Sequence, residues 1–206
     1  MPDDSISYSE HVPVSSAEVV LVLHTSGYSD LQKGVEITHK AYVCAFESYR
    51  VLNHVGTTDV FLAWTPLFHA FGFALNTFPM LLGALTVFED PVIGFEALTE
   101  VLTRHEVTAT FCFPDRMLNI MRAADDKPRD ELEVRRRHTF PSIEKIMIGG
   151  DVIPKSLPKM LLKHFNYRTL HRYYGLTEAF GLVIVSGVDG RTGRFDGFPA
   201  PGWRIK

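Results

Sequence analysis

The sequence predicts an α/β fold built on a largely parallel sheet with flanking helices. Short apolar runs rich in β-branched residues alternate with segments of helical length. Runs of this kind lie at 18–24, 60–64, 84–88, 107–113, 143–148 and 182–186. Because strands separated by helix-length segments form βαβ units, most of these strands are expected to run parallel, and the first is expected to be buried.

The helices are predicted from capping residues and periodicity. Thr38 can cap a helix that runs to about His54. Pro114 can start another helix, and a helix over 155–165 requires Pro158 to lie in its first turn. One apolar stripe at helical spacing is formed by Phe95, Leu98, Val101 and Leu102. Ligands of parallel sheets lie at the carboxyl ends of the strands, so the loops after residues 24, 64, 148 and 173 are the expected site.

Composition excludes several classes of protein. The chain has 206 residues, 46% of them hydrophobic and 22% charged, which is typical of a globular protein rather than a disordered one. A net charge of −3 excludes a polycation, so no nucleic-acid partner is expected. Cys44 and Cys112 lie in apolar sequence and match no metal-binding spacing. A reducing, intracellular compartment is expected, either cytoplasmic or peroxisomal.

Residues 60–88 contain no Asp, Glu, Lys or Arg, which makes them long enough to be a transmembrane candidate. Two prolines and two polar side chains argue against a lipid-exposed helix: Pro66, Pro79, His69 and Asn76. The stretch is therefore predicted to form a strand, a loop, a helix and a second strand inside a protein core. No membrane span is expected, and a membrane protein using residues 60–88 is the least favoured alternative.

Two loops after predicted strands carry small or polar residues. Thr25–Gly34 offers hydroxyls, a flexible backbone and the Lys33 charge, all of which suit a phosphate chain, although a plain surface turn would also explain them. It is no Walker loop, because Gln32 precedes the lysine. Pro66–Gly72 places one imidazole, His69, among aromatic residues, where it could line an apolar pocket or be a satisfied core histidine.

Three further segments could frame a nucleotide. Gly149 and Gly150 allow a flat ring to lie against the backbone, although a tight turn explains them equally well. Tyr173–Glu178 combines an aromatic face, a glycine, a hydroxyl and a carboxylate, which suit a nucleotide and its Mg²⁺. Gly197–Gly202 is a stiff turn whose role could be purely structural.

In this order and at these separations, the five segments resemble the adenylate-forming superfamily of acyl-CoA synthetases, 4-coumarate-CoA ligases, luciferases and adenylation domains. The family phosphate loop T-S-G-[ST]-T-G-x-P-K-G is matched by T-S-G-Y-S-D-L-Q-K-G at 25–34. Y-G-x-T-E is matched in full at 174–178, and G-x-P-x-P-G at 197–202. The segment P-x-F-H-x-x-G is matched at 66–72, which is similar to the branch that uses fatty or aryl acids. Gly149 and Gly150 match the adenine segment G-G-A.

This resemblance implies an acid-thiol ligase that uses ATP, Mg²⁺ and coenzyme A. A carboxylic acid would attack ATP to give an acyl-adenylate, and coenzyme A would then give the thioester. Nucleotide-binding residues by position would be Thr25, Ser26, Gly27, Ser29, Lys33, Gly149, Gly150, Asp151, Tyr174 and Gly175. The catalytic residues would be Thr177, Glu178 and His69, with Glu178 holding Mg²⁺. His69, Phe71 and Gly72 would border the acyl pocket.

The phosphate loop departs from the family pattern at Tyr28, Asp30 and Gln32. A carboxylate about 4 Å from a phosphate charge would repel it by roughly 4 kcal/mol at an effective dielectric of 20. Two hypotheses follow. The chain is either a fragment of a carboxylate-CoA ligase that is inactive by itself, or a non-catalytic relative that binds a nucleotide or an acyl chain.

The resemblance also predicts the domain organisation. Residues 1–16 are expected to form a poorly ordered leader, and residues 17–206 an incomplete central part of the large N-terminal domain. The C-terminal domain of the family is expected to be absent. Apolar surface such as that of residues 60–88 would then be left uncovered in the isolated chain.

Overall fold

The computed structural model describes residues 13–25, 32–125, 140, 142–165, 167–186 and 197–205. The strands in these ranges are β1 (Val19–His24), β2 (Gly34–Thr38), β3 (Val60–Ala63), β4 (Leu85–Phe88), β5 (Ala109–Cys112), β6 (Lys145–Gly149), β7 (Thr169–Leu176), β8 (Gly181–Ser186) and β9 (Gly197–Pro199). The helices are α1 (His39–Leu52), α2 (Ala70–Leu81), α3 (Phe95–Arg104), α4 (Pro114–Asp125) and α5 (Leu157–His164). A 3₁₀ turn spans Thr177–Ala179.

Among the described residues, the central sheet has seven strands in the order β4-β3-β5-β6-β7-β8-β9. The first five of these run parallel, whereas β8 and β9 are antiparallel to their neighbours. The prediction of a largely parallel α/β sheet is therefore confirmed. The carboxyl ends of β3, β5, β6 and β7 lie along one edge, so the segments that follow these strands are brought together there.

The first predicted strand exists, but the prediction that it is buried is wrong. β1 pairs with β2 in a separate antiparallel sheet, and only Leu23 of β1 is buried. Val20 and Val22 are exposed. Strand β2 was not predicted, because Gly34 and its neighbours have turn-like composition. A β-branched run is typical of any extended strand, so propensity alone does not show which strands are covered.

The predicted helix starts are confirmed. The Thr38 hydroxyl oxygen accepts a hydrogen bond from the backbone N–H of Ala41 at 3.2 Å, which caps α1. Helix α1 ends at Leu52, because Asn53 adopts the left-handed conformation with φ of 52°. Pro114 begins α4, and α5 has a proline in its first turn. The predicted apolar stripe forms the buried face of α3.

Thr38→Ala is expected to lower the free energy of unfolding by about 1 kcal/mol, because the N-cap hydrogen bond is lost. Urea denaturation measures this loss. Thr103→Ala is the matched control, since Thr103 is exposed near the end of α3 and its hydroxyl donates to the Thr99 carbonyl rather than capping a helix start. Its effect should stay within about 0.5 kcal/mol. Equal losses in the two variants would contradict the capping role.

The core lies in two layers, one on each face of the sheet. Successive strand residues point to opposite faces, so Leu62 packs with α3, α4 and α5, whereas Phe61 and Ala63 pack with α1 and α2. Residues 60–88 form β3, α2 and β4, as predicted. The prediction that this whole stretch lies inside a core is wrong for β4, which is an edge strand with Leu85 and Phe88 exposed. Within the described ranges, no helix is both long and apolar enough to cross a membrane.

Candidate functional site

Four of the five predicted segments meet in one cleft at the carboxyl edge of the sheet. The cleft has a volume of about 280 Å³. It is lined by Thr25, His69, Ala70, Phe71, Gly150, Gly175, Leu176, Thr177 and Glu178. Thr25 follows β1, His69 to Phe71 begin α2, Gly150 follows β6, and the last four residues end β7 and continue into the 3₁₀ turn. The fold thus brings together residues that are far apart in the sequence.

The ends of the predicted phosphate loop are tied to each other. The backbone N–H of Thr25 donates to the Lys33 carbonyl at 3.0 Å, and the N–H of Lys33 donates to the Thr25 hydroxyl oxygen at 3.3 Å. Thr25 lines the cleft, whereas Lys33 is exposed and does not contribute to its wall. Ser26, Gly27 and Ser29, like Tyr28 and Asp30, lie outside the described residues.

His69 both caps α2 and faces the cleft. Its Nδ1 accepts a hydrogen bond from the backbone N–H of Phe71 at 3.2 Å, so a neutral ring carries its proton on Nε2. Burial lowers the pKa of His69 below its usual value, which favours this neutral form. The ring packs edge-on against Phe113, with centroids 4.8 Å apart. His69 is half-buried and lines the cleft.

The two residues predicted to accompany His69 have different environments. Phe71 lines the cleft and is otherwise buried, with its ring stacked on Phe111 at 5.7 Å. Gly72 does not line the cleft. A Cβ atom at Gly72 would lie 1.9 Å from the carbonyl oxygen of Pro66, so this glycine lets α2 pack directly on the segment after β3.

The predicted adenine segment is divided between the cleft and the sheet. Gly150 lines the cleft with φ of +84°, a conformation that favours glycine. Gly149 is buried, and a Cβ there would lie 2.3 Å from the Tyr173 carbonyl oxygen. Asp151 is exposed, and its carboxylate accepts from the N–H of Val152 rather than lining the cleft. Of these three residues, only Gly150 lines the cleft.

The segment Tyr173–Leu176 was predicted as a loop, but it forms the end of β7. Tyr173 is buried, whereas Tyr174 is exposed and does not line the cleft. Gly175 lines the cleft where β7 approaches β8 closely, since a Cβ there would lie 2.0 Å from the Gly181 carbonyl oxygen. Bulky aromatic residues favour strands, and this preference prevails over the glycine here.

Thr177 and Glu178 form the 3₁₀ turn that follows β7 and present a hydroxyl and an exposed carboxylate to the cleft. Glu178 is the only carboxylate among the described residues that line the cleft. In the part of the chain that the structure describes, no three His, Cys, Asp or Glu side chains are grouped closely enough to hold a metal ion by themselves.

Glu178 also borders a second, apolar groove of about 550 Å³, which was not predicted. Its lining residues are Ala41, Cys44, Ala45, Glu47, Ser48, Val51, Glu178, Ala179, Pro201, Gly202 and Trp203. They come from α1, the 3₁₀ turn and the turn after β9, so no local pattern could have indicated the groove. Cys44 is exposed in this groove, whereas Cys112 is buried in the core.

The chain belongs to the AMP-binding enzyme family, whose model matches residues 2–206. The predicted resemblance to adenylate-forming enzymes is thereby confirmed. The chain is 27% identical over 207 residues to the medium-chain fatty-acid–CoA ligase of Escherichia coli strain K12, covering 98% of this chain and 34% of that protein. It is also 27% identical over 186 residues to 4-coumarate–CoA ligase 1 of Arabidopsis thaliana, covering 86% of this chain and 31% of that protein.

The chain thus spans about a third of the length of these curated relatives. Luciferin 4-monooxygenase of Photuris pensylvanica is a further relative, at 24% identity over 82% of this chain and 30% of that protein. These three relatives include both enzyme groups of the predicted branch, the CoA ligases and the luciferases.

Solved structures show the same fold. A variant of E. coli MenE with bound OSB-AMS matches with a TM-score of 0.71 and 22% identity, covering 98% of this chain and 40% of that one. The inhibitor-bound N-terminal domain of FACL13 from Mycobacterium tuberculosis matches with a TM-score of 0.71 and 20% identity, covering 86% and 42%. The α/β architecture described above is therefore that of adenylate-forming enzymes.

Proposed function

We propose that this chain forms the nucleotide-binding region of a carboxylate-CoA ligase that activates an apolar carboxylic acid with ATP. The observation that carries the proposal is the cleft, where four separate segments of an AMP-binding enzyme present glycines, two threonines, an imidazole and a carboxylate. The names of the relatives, which are CoA ligases for medium-chain fatty acids and 4-coumarate, support the same class of reaction.

In the proposed reaction, a carboxylate oxygen attacks the α-phosphorus of ATP and pyrophosphate leaves. The thiol of coenzyme A then attacks the acyl carbon and AMP leaves. Both steps need neutralisation of phosphate charge at a fixed position. The Thr177 hydroxyl and the Nε2–H of neutral His69 are donors suited to phosphate or carboxylate oxygens. Gly150 and Gly175 line the cleft, where the nucleotide would lie against their backbone.

The cleft residues fit Mg²⁺ bound together with ATP. Mg²⁺ is commonly held by one or two carboxylates together with substrate phosphates and water. Glu178 supplies one exposed carboxylate to the cleft wall and directly follows Thr177 in the chain. We therefore assign Glu178 as the protein ligand of the magnesium ion. The positive charge of the ion would offset the negative charge of the triphosphate.

The cleft favours an acid without an amino group. An amine would need a carboxylate partner near the acyl side, where the described wall consists of His69, Ala70 and Phe71. Phe71 and Ala70 provide apolar surface for a fatty or aryl chain. Because the relatives are about three times as long, we expect no acyl-CoA formation by this 206-residue chain alone. Nucleotide binding is therefore the activity to measure first.

Calorimetric titration of the chain with ATP tests the assignment of Glu178. Glu178→Gln is expected to weaken binding of ATP in the presence of Mg²⁺ at least about tenfold, since the metal loses its carboxylate ligand. The loss should be small when EDTA replaces Mg²⁺. Glu144→Gln is the matched control, because the carboxylate of Glu144 pairs with exposed Arg168 away from the cleft. Wild-type affinity of Glu178→Gln for MgATP would contradict the metal site.

A non-catalytic relative is the second candidate, and Asp30 in the phosphate loop favours it. A carboxylate close to the phosphates would oppose ATP. Under this proposal, Asp30→Gly gains affinity for ATP at least about tenfold over the wild type. If neither the wild type nor Asp30→Gly binds ATP, the chain is not a nucleotide-binding region. If the substitution changes nothing while the wild type binds, Asp30 does not face the phosphates.

A further inference from the structure

Two histidine rings are stacked beneath the ligand-facing end of β7. The imidazoles of His54 and His171 lie nearly parallel, with centroids 3.6 Å apart. His54 Nδ1 lies 2.6 Å from the hydroxyl of Tyr173, which is two residues after His171 on β7. His171 is buried, and its Nδ1 has no hydrogen-bond partner among the described residues. The pair therefore connects the end of α1 with the strand that carries Gly175.

This arrangement suits neutral rings only. Two imidazolium charges at 3.6 Å would repel each other strongly at a site with little water. Protonation would also leave a charged N–H of His171 without a partner at its buried Nδ1 position. Burial, His171 and Lys145 lower the pKa of His54 to about 3, and burial and Lys145 lower that of His171 to about 4.

The charged and titratable groups around the pair come from β6, α1, β7 and the segment before β3. Lys145 at the start of β6 is positive and pairs with Asp59, which precedes β3, at 2.7 Å. Tyr49 of α1 and Tyr173 of β7 are buried phenols whose pKa values are raised, mainly by burial. Asp59 is held by Lys145, so it is not left free to stabilise an imidazolium.

The pair is linked to the cleft through Tyr173. The carbonyl oxygen and Cβ of Tyr173 lie against Gly149, which ends β6 directly before Gly150 of the cleft. Tyr173 also precedes Tyr174 and Gly175 on β7. Loss of the contact between His54 and Tyr173 would therefore loosen both strands whose ends form the cleft.

We propose that His54 and His171 form a proton-sensitive clamp, which holds the end of α1 on β7 while both rings are neutral and releases it when they are protonated. The clamp makes these two histidines positioning residues, since neither lines the cleft. The consequence for nucleotide affinity rests on the proposed function, whereas the consequence for stability does not.

The direction of the pH effect follows from the two histidines being harder to protonate in the folded chain. Their stabilising effect is complete above the unfolded pKa of about 6.5 and is lost as the pH falls toward 4. Two extra protons taken up on unfolding raise the unfolding equilibrium constant by up to about a hundredfold per pH unit. The lowered pKa of His69 also makes the folded chain less stable as the pH falls. The lowered pKa of Asp59 contributes a loss of stability only below about pH 4.

Urea unfolding between pH 7.5 and 4.5 tests the clamp. We compare the wild type with His54→Gln/His171→Phe, which retains a ring at 171 but cannot take up protons. His105→Gln is the matched control, since His105 is exposed at the end of α3. We expect the double variant to lose most of the pH dependence and the control to keep it. A wild-type chain equally stable at pH 7 and 5, or an unchanged slope in the double variant, would overturn the proposal.

A second measurement covers the case in which the double variant does not fold. In this case, NMR follows the histidine ring signals of the labelled wild-type chain. We expect the rings of His54 and His171 not to titrate above about pH 5. Titration of either ring near its unperturbed pKa of about 6.5 would overturn the clamp. ATP titrations at the same pH values separate the two proposals. Absence of ATP binding at pH 7.5 counts against the proposed function, while the unfolding data still decide the clamp.

Discussion

Replacing Gly72 with alanine is expected to destabilise the fold by about 3 kcal/mol or more, although alanine is the better helix former by about 1 kcal/mol. The reason is the close approach of α2 to the segment after β3. A Cβ at position 72 would lie 1.9 Å from the carbonyl oxygen of Pro66 and 2.8 Å from its carbonyl carbon. These are backbone atoms, so the helix itself would have to move, and His69 and Phe71 would move with it.

Guanidinium or urea denaturation measures the loss. Gly56→Ala is the matched control, because nothing lies within 4 Å of a Cβ there. That substitution should be neutral or stabilise by up to about 1 kcal/mol, since alanine restricts the unfolded chain. A Gly72→Ala variant as stable as the wild type would show that α2 can shift away from Pro66 at little energetic cost.

The second large effect is expected at Asp59, whose removal should destabilise the fold by about 3 kcal/mol. The carboxylate is buried and accepts hydrogen bonds from the ammonium of Lys145 at 2.7 Å, the N–H of Gly56 at 2.8 Å and the hydroxyl of Thr108 at 2.9 Å. It thereby joins the amino ends of β3, β5 and β6. Asp59→Ala would leave the lysine and the other donors without their acceptor.

Burial alone would raise the pKa of Asp59, but the hydrogen bonds from Lys145, Gly56 and Thr108 outweigh it and lower the pKa. The stabilising effect is therefore present above about pH 4 and lost as the pH falls through the lowered value. Glu144→Ala is the control, since Glu144 and Arg168 form an exposed pair at 3.4 Å worth less than about 1 kcal/mol. Similar losses in both variants at pH 7 would contradict a special role for Asp59.

The parts of the fold that local rules determine were predictable. Capping by Thr38, the start of α4 at Pro114 and the buried stripe of α3 depend on residues within one or two turns. The position of the cleft was also predictable, because parallel strands bring their carboxyl ends to one edge. His69 and Glu178 line the cleft after β3 and β7 of the central sheet, whereas Thr25 lines it after β1 of the separate sheet.

The remaining features depend on contacts between distant segments. The motif at 66–72 predicted Gly72 as a pocket residue, and nothing in the motif indicates that Gly72 packs on Pro66. The stack of His54 on His171 joins the segment after α1 to β7, and neither histidine has a neighbour in sequence that indicates the pairing. The exposure of β1 depends on which sheet it joins, and strand propensity does not determine that.

The different environments of the two cysteines give the molecule a natural attachment point for an optical reporter. Cys44 is exposed in the apolar groove and Cys112 is buried, so a thiol-directed dye should label Cys44 selectively in the folded chain without mutagenesis. Glu178 lies on the wall shared by this groove and the cleft. A dye at Cys44 would therefore sit beside the carboxylate assigned to magnesium, and its emission would report occupancy of the cleft in real time.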